Sequence, residues 1–214
     1  MSETVVIDFG SGNLRSVAKA LEQVGAHKVS VSADPAVIRA AGRVVFPGQG
    51  AIGACAARLA EPGLAAAVRE AATNKPFLGI CLGLQALFEF SEEDGGVAGL
   101  GLVAGRVARF AAGETLAGGE RRKVPHMGWN QVDLARGHPL LAGIPSGAWF
   151  YFVHSYYVCP TQADLVLGQT SHGSTTFTSA LARGNLVATQ FHPEKSHHAG
   201  LRLLSNFVTW NGED

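Results

Sequence analysis

An unbroken run of apolar residues at 76–80, Pro-Phe-Leu-Gly-Ile, is the feature that most constrains how this chain can fold. Strands with one face in water alternate apolar and polar residues, whereas a continuous apolar run is typical of a strand covered on both faces of a parallel sheet. Parallel strands need crossover connections, usually helices, and residues 84–90 have the composition of such a helix. The run therefore predicts an α/β fold.

The segments before this run alternate strand and helix. The stretch 4–8 is β-branched and is followed by a glycine turn at 10–12, after which apolar residues recur at helical spacing. Asn13 is a suitable cap for this first helix. Further strands are predicted at 29–32 and 43–46, with a short helix between them that begins near 34. Two alanine-rich helices follow the second of these strands and end near 74.

Beyond residue 102 the pattern changes to alternating or aromatic strands, which are more typical of hairpins and mixed-sheet edges. An amphipathic helix is predicted near 201–208. No repeat, low-complexity tract or long linker divides the chain, so we expect one domain over residues 1–214. We expect it to contain a central, mostly parallel twisted sheet flanked by helices, with a mixed or antiparallel second half. The later strands are predicted near 105–110, 149–158, 165–170, 175–181 and 186–191.

Composition and charge exclude several classes of protein. Lys plus Arg (17) equals Asp plus Glu (17), so no net positive field attracts a nucleic acid or an anionic membrane. An apolar content of 47% excludes disorder, and the aromatic run 149–153 is too short to cross a bilayer. The first residues lack the basic and then apolar start of a secretory signal, and three cysteines cannot all pair, so we expect a cytoplasmic protein.

The sequence Gly-Ile-Cys-Leu-Gly at 79–83 places a cysteine between two glycines, where the buried strand turns into a helix. This pattern is typical of a nucleophile elbow with sulfur in place of oxygen, because a nucleophile on a strained turn needs flanking residues without a Cβ. The helix N-terminus behind Cys81 favours thiolate over thiol and offers N–H groups to an oxyanion. The alternative is a small buried core cysteine.

A base for such a nucleophile is available in Gln-Phe-His-Pro-Glu at 190–194. His192 ends a predicted strand, and Glu194 follows two residues later. Together with Cys81 they indicate a catalytic triad, in which the imidazole moves the proton and the carboxylate fixes its tautomer. A structural histidine is the simpler use of His192 taken alone.

Two other kinds of site are less consistent with the spacing. A metal site would also recruit the histidines at 197–198, but a proline interrupts the cluster and no H-E-x-x-H spacing is present. A dinucleotide-binding turn at 10–12 fails because the third glycine of its pattern would fall at Arg15.

Two further segments carry polar groups or glycines at the ends of strands. Pro-Gly-Gln-Gly at 47–50 leaves a peptide free to turn an N–H toward a reacting carbonyl, although an ordinary turn is the alternative. The run 149–156 has the composition of a core strand, but it ends in His154, Ser155 and Tyr156. These three side chains are suited to hydrogen-bond an amino-acid substrate.

The block 123–130, Lys-Val-Pro-His-Met-Gly-Trp-Asn, sets Met and Trp beside turn residues and suits a partner surface or a core edge. With the elbow at 79–83 and the motif at 190–194, it makes the chain resemble class I glutamine amidotransferases over nearly its whole length. Within that superfamily the chain is most similar to the glutaminase subunits of imidazole glycerol phosphate synthase, because the block at 123–130 looks specific to them. The resemblance implies a flavodoxin-like class I amidotransferase architecture.

By this resemblance, Cys81 attacks the side-chain amide of glutamine, ammonia leaves with a proton from His192, and water hydrolyses the glutamyl thioester. Glutamate and ammonia are the products, and no metal or cofactor is implied. The positions that match glutamine-binding residues are Gln85, His154, Ser155 and Tyr156. Those that match the oxyanion hole are Gly48, Gln49 and Gly50 in the loop, and Leu82 after the nucleophile.

The resemblance also implies a partner, a (β/α)₈-barrel cyclase that forms a heterodimer with this chain. The cyclase would receive the ammonia and make imidazole glycerol phosphate and an aminoimidazole carboxamide ribotide, in histidine biosynthesis. The positions that resemble its interface are Asn13, Met127, Trp129, Tyr151 and Lys195.

Three departures from the family pattern are visible. Phe9 replaces a more usual Tyr and Leu84 a more usual Met, both with similar volume, while Gln49 replaces the usual Val in the oxyanion loop. Two related functions remain open. A glutaminase of a different ammonia-using synthase would lack the block at 123–130, and a non-catalytic regulatory relative would have lost a member of the triad. A serine hydrolase is disfavoured because the elbow holds sulfur.

Overall fold

The computed structural model describes residues 3–10, 12–111, 113 and 122–213, so Ser11 of the glycine turn predicted at 10–12 lies outside the described residues. Strands and helices alternate through the first half of the chain, as the sequence predicts. The α-helices in the described residues are α1 (Leu14–Gln23), α2 (Pro35–Ala40), α3 (Ile52–Leu59), α4 (Leu64–Asn74), α5 (Leu82–Ala86) and α6 (His197–Thr209). The strands are β1 (Thr4–Ile7), β2 (Val29–Ser32), β3 (Arg43–Gly48), β4 (Phe77–Cys81), β5 (Phe88–Ser91), β6 (Val97–Ala98), β7 (Val103–Arg109), β8 (His126–Leu134), β9 (Ala148–His154), β10 (Tyr156–Pro160), β11 (Val166–His172), β12 (Thr175–Arg183) and β13 (Leu186–Thr189).

Five parallel strands form the centre of the sheet, in the order β2-β1-β3-β4-β13. From β13 the sheet continues through β12, β10 and β7, each antiparallel to the strand before it, and ends at β5 and β6. β12 also pairs with β11, and β11 leads to the antiparallel pair β8-β9. The predicted α/β fold with a mixed second half is therefore confirmed.

Alternate residues of the central strands enter two separate cores. Phe77 of β4 packs in the core that includes α2, α3 and α4, whereas Leu78 and Ile80 pack in the core that includes α1 and α6. All three side chains are fully buried. The apolar run thus forms a strand covered on both faces, as its composition predicts.

The helix predicted at 84–90 is wrong in its second half. α5 ends at Ala86, and the chain then enters β5, where Phe88 pairs with Val103 of β7. The pairing of β5 with a distant strand and the full burial of Phe88 override the local helical spacing. This early return of the chain brings Glu93, just after β5, into the same cavity as Cys81.

The strand predicted at 149–158 is two strands, because Ser155 interrupts it. β9 pairs with β8, whereas β10 pairs with β7 and β12. β8 is absent from the sequence-based prediction, since its first residues fall in the glycine- and proline-containing block 123–130. None of the helices in the described ranges is both long enough and apolar enough to cross a membrane.

Candidate active site

Cys81 is the last residue of β4, and the next residue begins α5. Its backbone has φ +53° and ψ −104°, a left-handed conformation that is strained for a residue with a side chain. The turn is possible because Gly83 approaches β3 closely: a Cβ at Gly83 would lie 1.8 Å from the carbonyl oxygen of Phe46. The elbow predicted at 79–83 is present in the structure.

His192 and Glu194 lie together beneath this elbow. Nδ1 of His192 is 2.8 Å from Oε1 of Glu194, and both side chains are completely buried. Since a carboxylate only accepts, Nδ1 carries the proton. The main-chain N–H of His192 donates to the carbonyl oxygen of Tyr151 (2.9 Å), and its carbonyl accepts from the hydroxyl of Ser196 (2.6 Å). The backbone of His192 is therefore held on both sides, and Glu194 orients its ring.

The charges of these groups stabilise one another. Burial lowers the pKa of His192, but the charge interactions and hydrogen bonds with Cys81 and Glu194 outweigh it and raise that pKa to about 10. Burial raises the pKa of Glu194, but hydrogen bonds and charge from His192, with a hydrogen bond from Asn13, hold it below its usual range. A histidine with a raised pKa that is hydrogen-bonded to a carboxylate is suited to act as a general acid for a leaving amine.

Asn13 takes a different role from the two that the sequence predicts. Its side chain makes no capping hydrogen bond to α1, and at 4% exposure it offers almost no surface to a partner. Instead Nδ2 donates to Oε1 of Glu194 at 3.0 Å. Asn13 therefore lies behind the triad, and its burial does not support the interface expected there.

A cavity of about 210 Å³ opens at Cys81 and contains most of the predicted glutamine and oxyanion residues. Its wall also includes Pro125 and Val153, and Glu93, which the sequence analysis does not single out. The predicted residues in its wall are Gln49, Gly50, Cys81, Leu82, Gln85, His154, Ser155 and Tyr156. A larger groove of about 640 Å³, beside α6, contains no residue of the predicted triad or glutamine site.

Two glutamines join the cavity wall to the nucleophile. Nε2 of Gln85 donates to the carbonyl oxygen of Tyr156 (3.0 Å) and to Oε1 of Gln190 (3.2 Å). Nε2 of Gln190, which is fully buried, donates to Sγ of Cys81 at 3.6 Å. Gln190 has no role in the sequence-based prediction. The signal that could have identified Gln190 in the sequence is a polar residue directly after a largely apolar strand, here β13.

His154 differs from its prediction in one respect. Nδ1 lies 2.7 Å from the carbonyl oxygen of Tyr156, and Nε2 lies 3.0 Å from Nδ1 of His126. Both ring nitrogens are thus occupied within the protein. His154 forms part of the cavity wall, but it has no nitrogen left to hydrogen-bond a substrate.

The predicted oxyanion loop lies next to the nucleophile. Gly48 ends β3 directly opposite Cys81 in the strand pairing. A Cβ at Gly48 would be 2.7 Å from Cβ of Leu82, so a glycine is needed at this close approach. The side-chain amide nitrogen of Gln49 lies 2.7 Å from the position of a Cβ at Gly12, and this side chain therefore packs against the β1–α1 connection.

Four of the five predicted interface residues lie together on β8, β9 and the turn after His192. Met127 and Trp129 are exposed, at 63% and 42%. The ring of Trp129 packs edge-on against Tyr151, with centroids 6.1 Å apart, and Nζ of Lys195 lies 5.8 Å from the centroid of Tyr151. We call Met127, Trp129, Tyr151 and Lys195 the β8–β9 surface.

The alternative metal site is not assembled. Among the described ranges, no three His, Cys, Asp or Glu side chains are grouped so that they could hold a metal ion. His197 stacks on Trp129 instead, with parallel rings 4.9 Å apart.

The amino-acid sequence matches a known protein family. Residues 5–210 match the sequence model of the family "Glutamine amidotransferase class-I". The chain is 58% identical over 213 residues to imidazole glycerol phosphate synthase subunit HisH of Methylococcus capsulatus, covering 98% of this chain and 97% of that protein. It is 56% identical to the subunit of the same name from Aromatoleum aromaticum, covering 98% of this chain and 99% of that one.

Solved structures share the fold at low sequence identity. The structure of a putative GMP synthase component from Thermoplasma acidophilum superposes with a TM-score of 0.72 at 19% identity, covering 97% of this chain and 92% of that one. PurLQS from Thermotoga maritima gives a TM-score of 0.73 at 16% identity, covering 97% and 98% of the two chains.

Proposed function

Because the chain belongs to the class-I glutamine amidotransferases, among the HisH subunits of imidazole glycerol phosphate synthase, we propose that it hydrolyses glutamine with Cys81, His192 and Glu194. The ammonia would pass to a cyclase partner in histidine biosynthesis. One observation carries the proposal: a fully buried His–Glu pair lies close enough to Cys81 for Cys81 to raise the pKa of His192, and Cys81 is held in a strained turn at the wall of a cavity.

The first step forms a bond between Sγ of Cys81 and the side-chain carbonyl carbon of glutamine. The carbonyl electron pair moves onto oxygen, and the resulting oxyanion accepts hydrogen bonds from main-chain N–H groups at Leu82 and in the loop 48–50. The first N–H groups of a helix have no partner within the helix, and Leu82 is the first residue of α5.

Collapse of this intermediate breaks the carbon–nitrogen bond, and His192 gives its proton to the leaving nitrogen, which departs as ammonia. The raised pKa of His192 fits this role, because the imidazole keeps its proton until the leaving nitrogen accepts it. A water then loses a proton to His192 and attacks the thioester. Glutamate leaves and the thiolate returns. Glu194 keeps the ring in the tautomer that directs Nε2 toward the sulfur.

The cavity wall supports recognition of an amino acid. Gln85, Ser155 and Tyr156 supply polar groups, and Glu93 supplies a carboxylate. Burial raises the pKa of Glu93, although the main-chain N–H of Ile52 partly compensates. A substrate ammonium next to Glu93 would relieve that cost, so we assign the α-amino group of glutamine to this carboxylate.

The β8–β9 surface is the proposed docking site for the (β/α)₈-barrel cyclase. Exposed aromatic residues and Met are enriched in the centres of interfaces, and Trp129 and Met127 are both strongly exposed here. The relatives from Methylococcus and Aromatoleum are named as subunits of a synthase. We further propose a cytoplasmic location, because Cys55, Cys81 and Cys159 are all free thiols.

A glutaminase serving another synthase and a non-catalytic relative are the two alternatives. Identity above 55% with HisH subunits over almost the whole chain favours a glutaminase of imidazole glycerol phosphate synthase over a glutaminase of another synthase. The intact Cys–His–Glu arrangement disfavours a non-catalytic relative.

The test is to mix the chain with a barrel cyclase and to measure glutamate release with and without the cyclase ligand. Release that depends on the cyclase supports the proposal. Glutamate release that neither the cyclase nor its ligand changes would favour a glutaminase subunit of a different synthase. An absence of release under all conditions would favour a non-catalytic relative.

A further inference from the structure

Three histidines, of which His126 and His154 are buried and His172 is half-buried, form an aromatic cluster next to the glutamine cavity. His126 begins β8, His154 ends β9 and His172 ends β11. The ring of His126 stacks on His172, with centroids 4.2 Å apart, and lies edge-on to His154. The proposed mechanism uses none of the three as an acid or a base, so their arrangement needs another explanation.

Hydrogen bonds link two of these rings in a single direction. Nδ1 of His154 lies 2.7 Å from the carbonyl oxygen of Tyr156, which can only accept, so Nδ1 of His154 must donate. A neutral His154 then has Nε2 free to accept. Nδ1 of His126 lies 3.0 Å from that Nε2 and must be the donor. Nε2 of His126 is left as an acceptor.

Asn130, which contacts Nε2 of His126, fixes the same direction of hydrogen bonding independently. Oδ1 of Asn130 accepts from the main-chain N–H of Gln131 (2.8 Å), and Nδ2 donates to the carbonyl oxygen of Ser171 (2.9 Å). The amide orientation is therefore determined without reference to His126. Nδ2 lies 3.1 Å from Nε2 of His126, so it donates to an acceptor there.

The rings of His126 and His154 are neutral, as this pattern of hydrogen bonds requires. Burial lowers the pKa of His126 to about 4, with a further contribution from His172. Burial likewise lowers the pKa of His154 to about 3, and the bond to the Tyr156 carbonyl offsets this only in part. Each ring thus carries one N–H at neutral pH.

The carbonyl oxygen of Tyr156 connects the hydrogen bonds of Asn130, His126 and His154 to the proposed catalytic site. It accepts from His154 and also from Nε2 of Gln85. The same Nε2 contacts Gln190, which donates to Sγ of Cys81. A shift of His154 would therefore move the group that anchors Gln85 in the cavity wall.

We infer that His126 and Asn130 are positioning residues for the glutamine pocket, which hold His154 in one tautomer and so keep the Tyr156 carbonyl and Gln85 in place. The inference rests on the proposed glutaminase function. It gives the block 123–130 a second role, since this block carries both the exposed Met127 and Trp129 and the two residues that support the pocket.

The first test is independent of activity. In ¹⁵N spectra of the imidazoles of the full chain at neutral pH, His126 and His154 should both carry the proton on Nδ1 and have a bare Nε2, with assignment by loss of signal in His126→Asn. A proton on Nε2 of either ring would overturn the inference. This readout does not require any variant to be active.

The second test is kinetic and uses the complex of the chain with its cyclase. His126→Leu removes the donor to His154, and we expect the KM for glutamine to rise about fivefold, the scale of one net hydrogen bond, with a smaller change in kcat. His126→Asn keeps a donor near Nδ1 and should restore most of the loss. His172→Leu is the matched control, because the ring of His172 packs in the same cluster without a hydrogen bond to His154. Within the described residues, its ring nitrogens hydrogen-bond only to the carbonyl oxygen of Lys123.

An unchanged KM in a folded His126→Leu protein, or an equal rise in His172→Leu, would overturn the positioning role. If the variant does not fold, the ¹⁵N tautomers decide. Failure of the proposed function itself would be seen separately, as a wild-type complex that releases no glutamate.

Discussion

The main-chain N–H of His192 donates to the carbonyl oxygen of Tyr151 at 2.9 Å, and the N–H of Tyr151 donates to the Ser196 hydroxyl that itself binds the His192 carbonyl. The proposed base is thus attached to Tyr151, the residue of β9 that belongs to the β8–β9 surface. Binding at that surface can affect the triad only through a difference in affinity for two conformations. The contact between Tyr151 and His192 is where such a difference would act.

Trp129→Ala should weaken association with the cyclase, or its coupling to glutamine hydrolysis, more than it lowers thermal stability. Truncating an aromatic anchor in an interface typically costs at least about 2 kcal/mol of binding. Binding is measured by titration calorimetry and stability by thermal unfolding. Phe90→Ala, at another exposed aromatic of 45%, is the matched control and should change neither. Unchanged affinity and coupling, together with a large fall in Tm, would assign Trp129 to the core.

Asn13→Ala should lower kcat about tenfold, because it removes a hydrogen bond to a charged carboxylate, an interaction worth about 1.5–3 kcal/mol. Nδ2 of Asn13 is one of the groups that hold the pKa of Glu194 low. The acid limb of the kcat profile should therefore move to higher pH. Ser16→Ala, at an exposed position of α1, the helix that follows Asn13, is the control. An Asn13→Ala enzyme with wild-type kcat but weak cyclase binding would restore the interface role predicted from the sequence.

The triad should also make stability depend on pH. The pKa of His192 rises from 6.5 to about 10 on folding, so the folded chain binds this proton more tightly than the unfolded chain. The resulting contribution to the free energy of unfolding is full below pH 6.5 and is lost as the pH rises toward 10. Urea unfolding across this pH range measures it. In Cys81→Ala the free energy of unfolding should fall less over this pH range, since Cys81 makes the largest of the contributions that raise the pKa of His192. Equal slopes in the two proteins would contradict this assignment.

Gln49→Val should change the basal rate, or the degree of stimulation by the partner, by a modest factor and leave the stimulated turnover largely intact. The Gln49 amide packs against the β1–α1 connection, so it biases the conformation of the loop 48–50 rather than the chemistry. Removing a true oxyanion donor would instead cost about 10²- to 10³-fold in turnover. Steady-state rates with and without the cyclase ligand distinguish the two. A loss as complete as that of Cys81→Ala would make the Gln49 side chain a catalytic donor.

The sequence predicts best those features whose cause is local. A strained turn needs glycines beside it, so the elbow at Cys81 is visible in five residues, and the proximity of His192 to Glu194 follows from their spacing. Features set by distant pairing are missed. Phe88 enters a strand because β7 pairs with it, and this pairing cannot be detected in the helical spacing of 84–90.

The same distinction separates the supporting residues from the triad. Asn13 and Glu194 are 181 positions apart, and Gln190 reaches Cys81 across 109 positions. Neither contact leaves a pattern within one segment. A polar residue at the end of a buried apolar strand, as at Gln190, is a signal that sequence analysis can use.

The most direct test of the account is the Cys81→Ala protein in complex with the cyclase, assayed for glutamate release with glutamine and for cyclase turnover with added ammonium salt. We expect glutamate release to be abolished while turnover on ammonium salt continues, because the change removes the nucleophile and leaves the fold and the partner intact. Appreciable glutamate release by a well-folded Cys81→Ala protein would contradict the proposed triad.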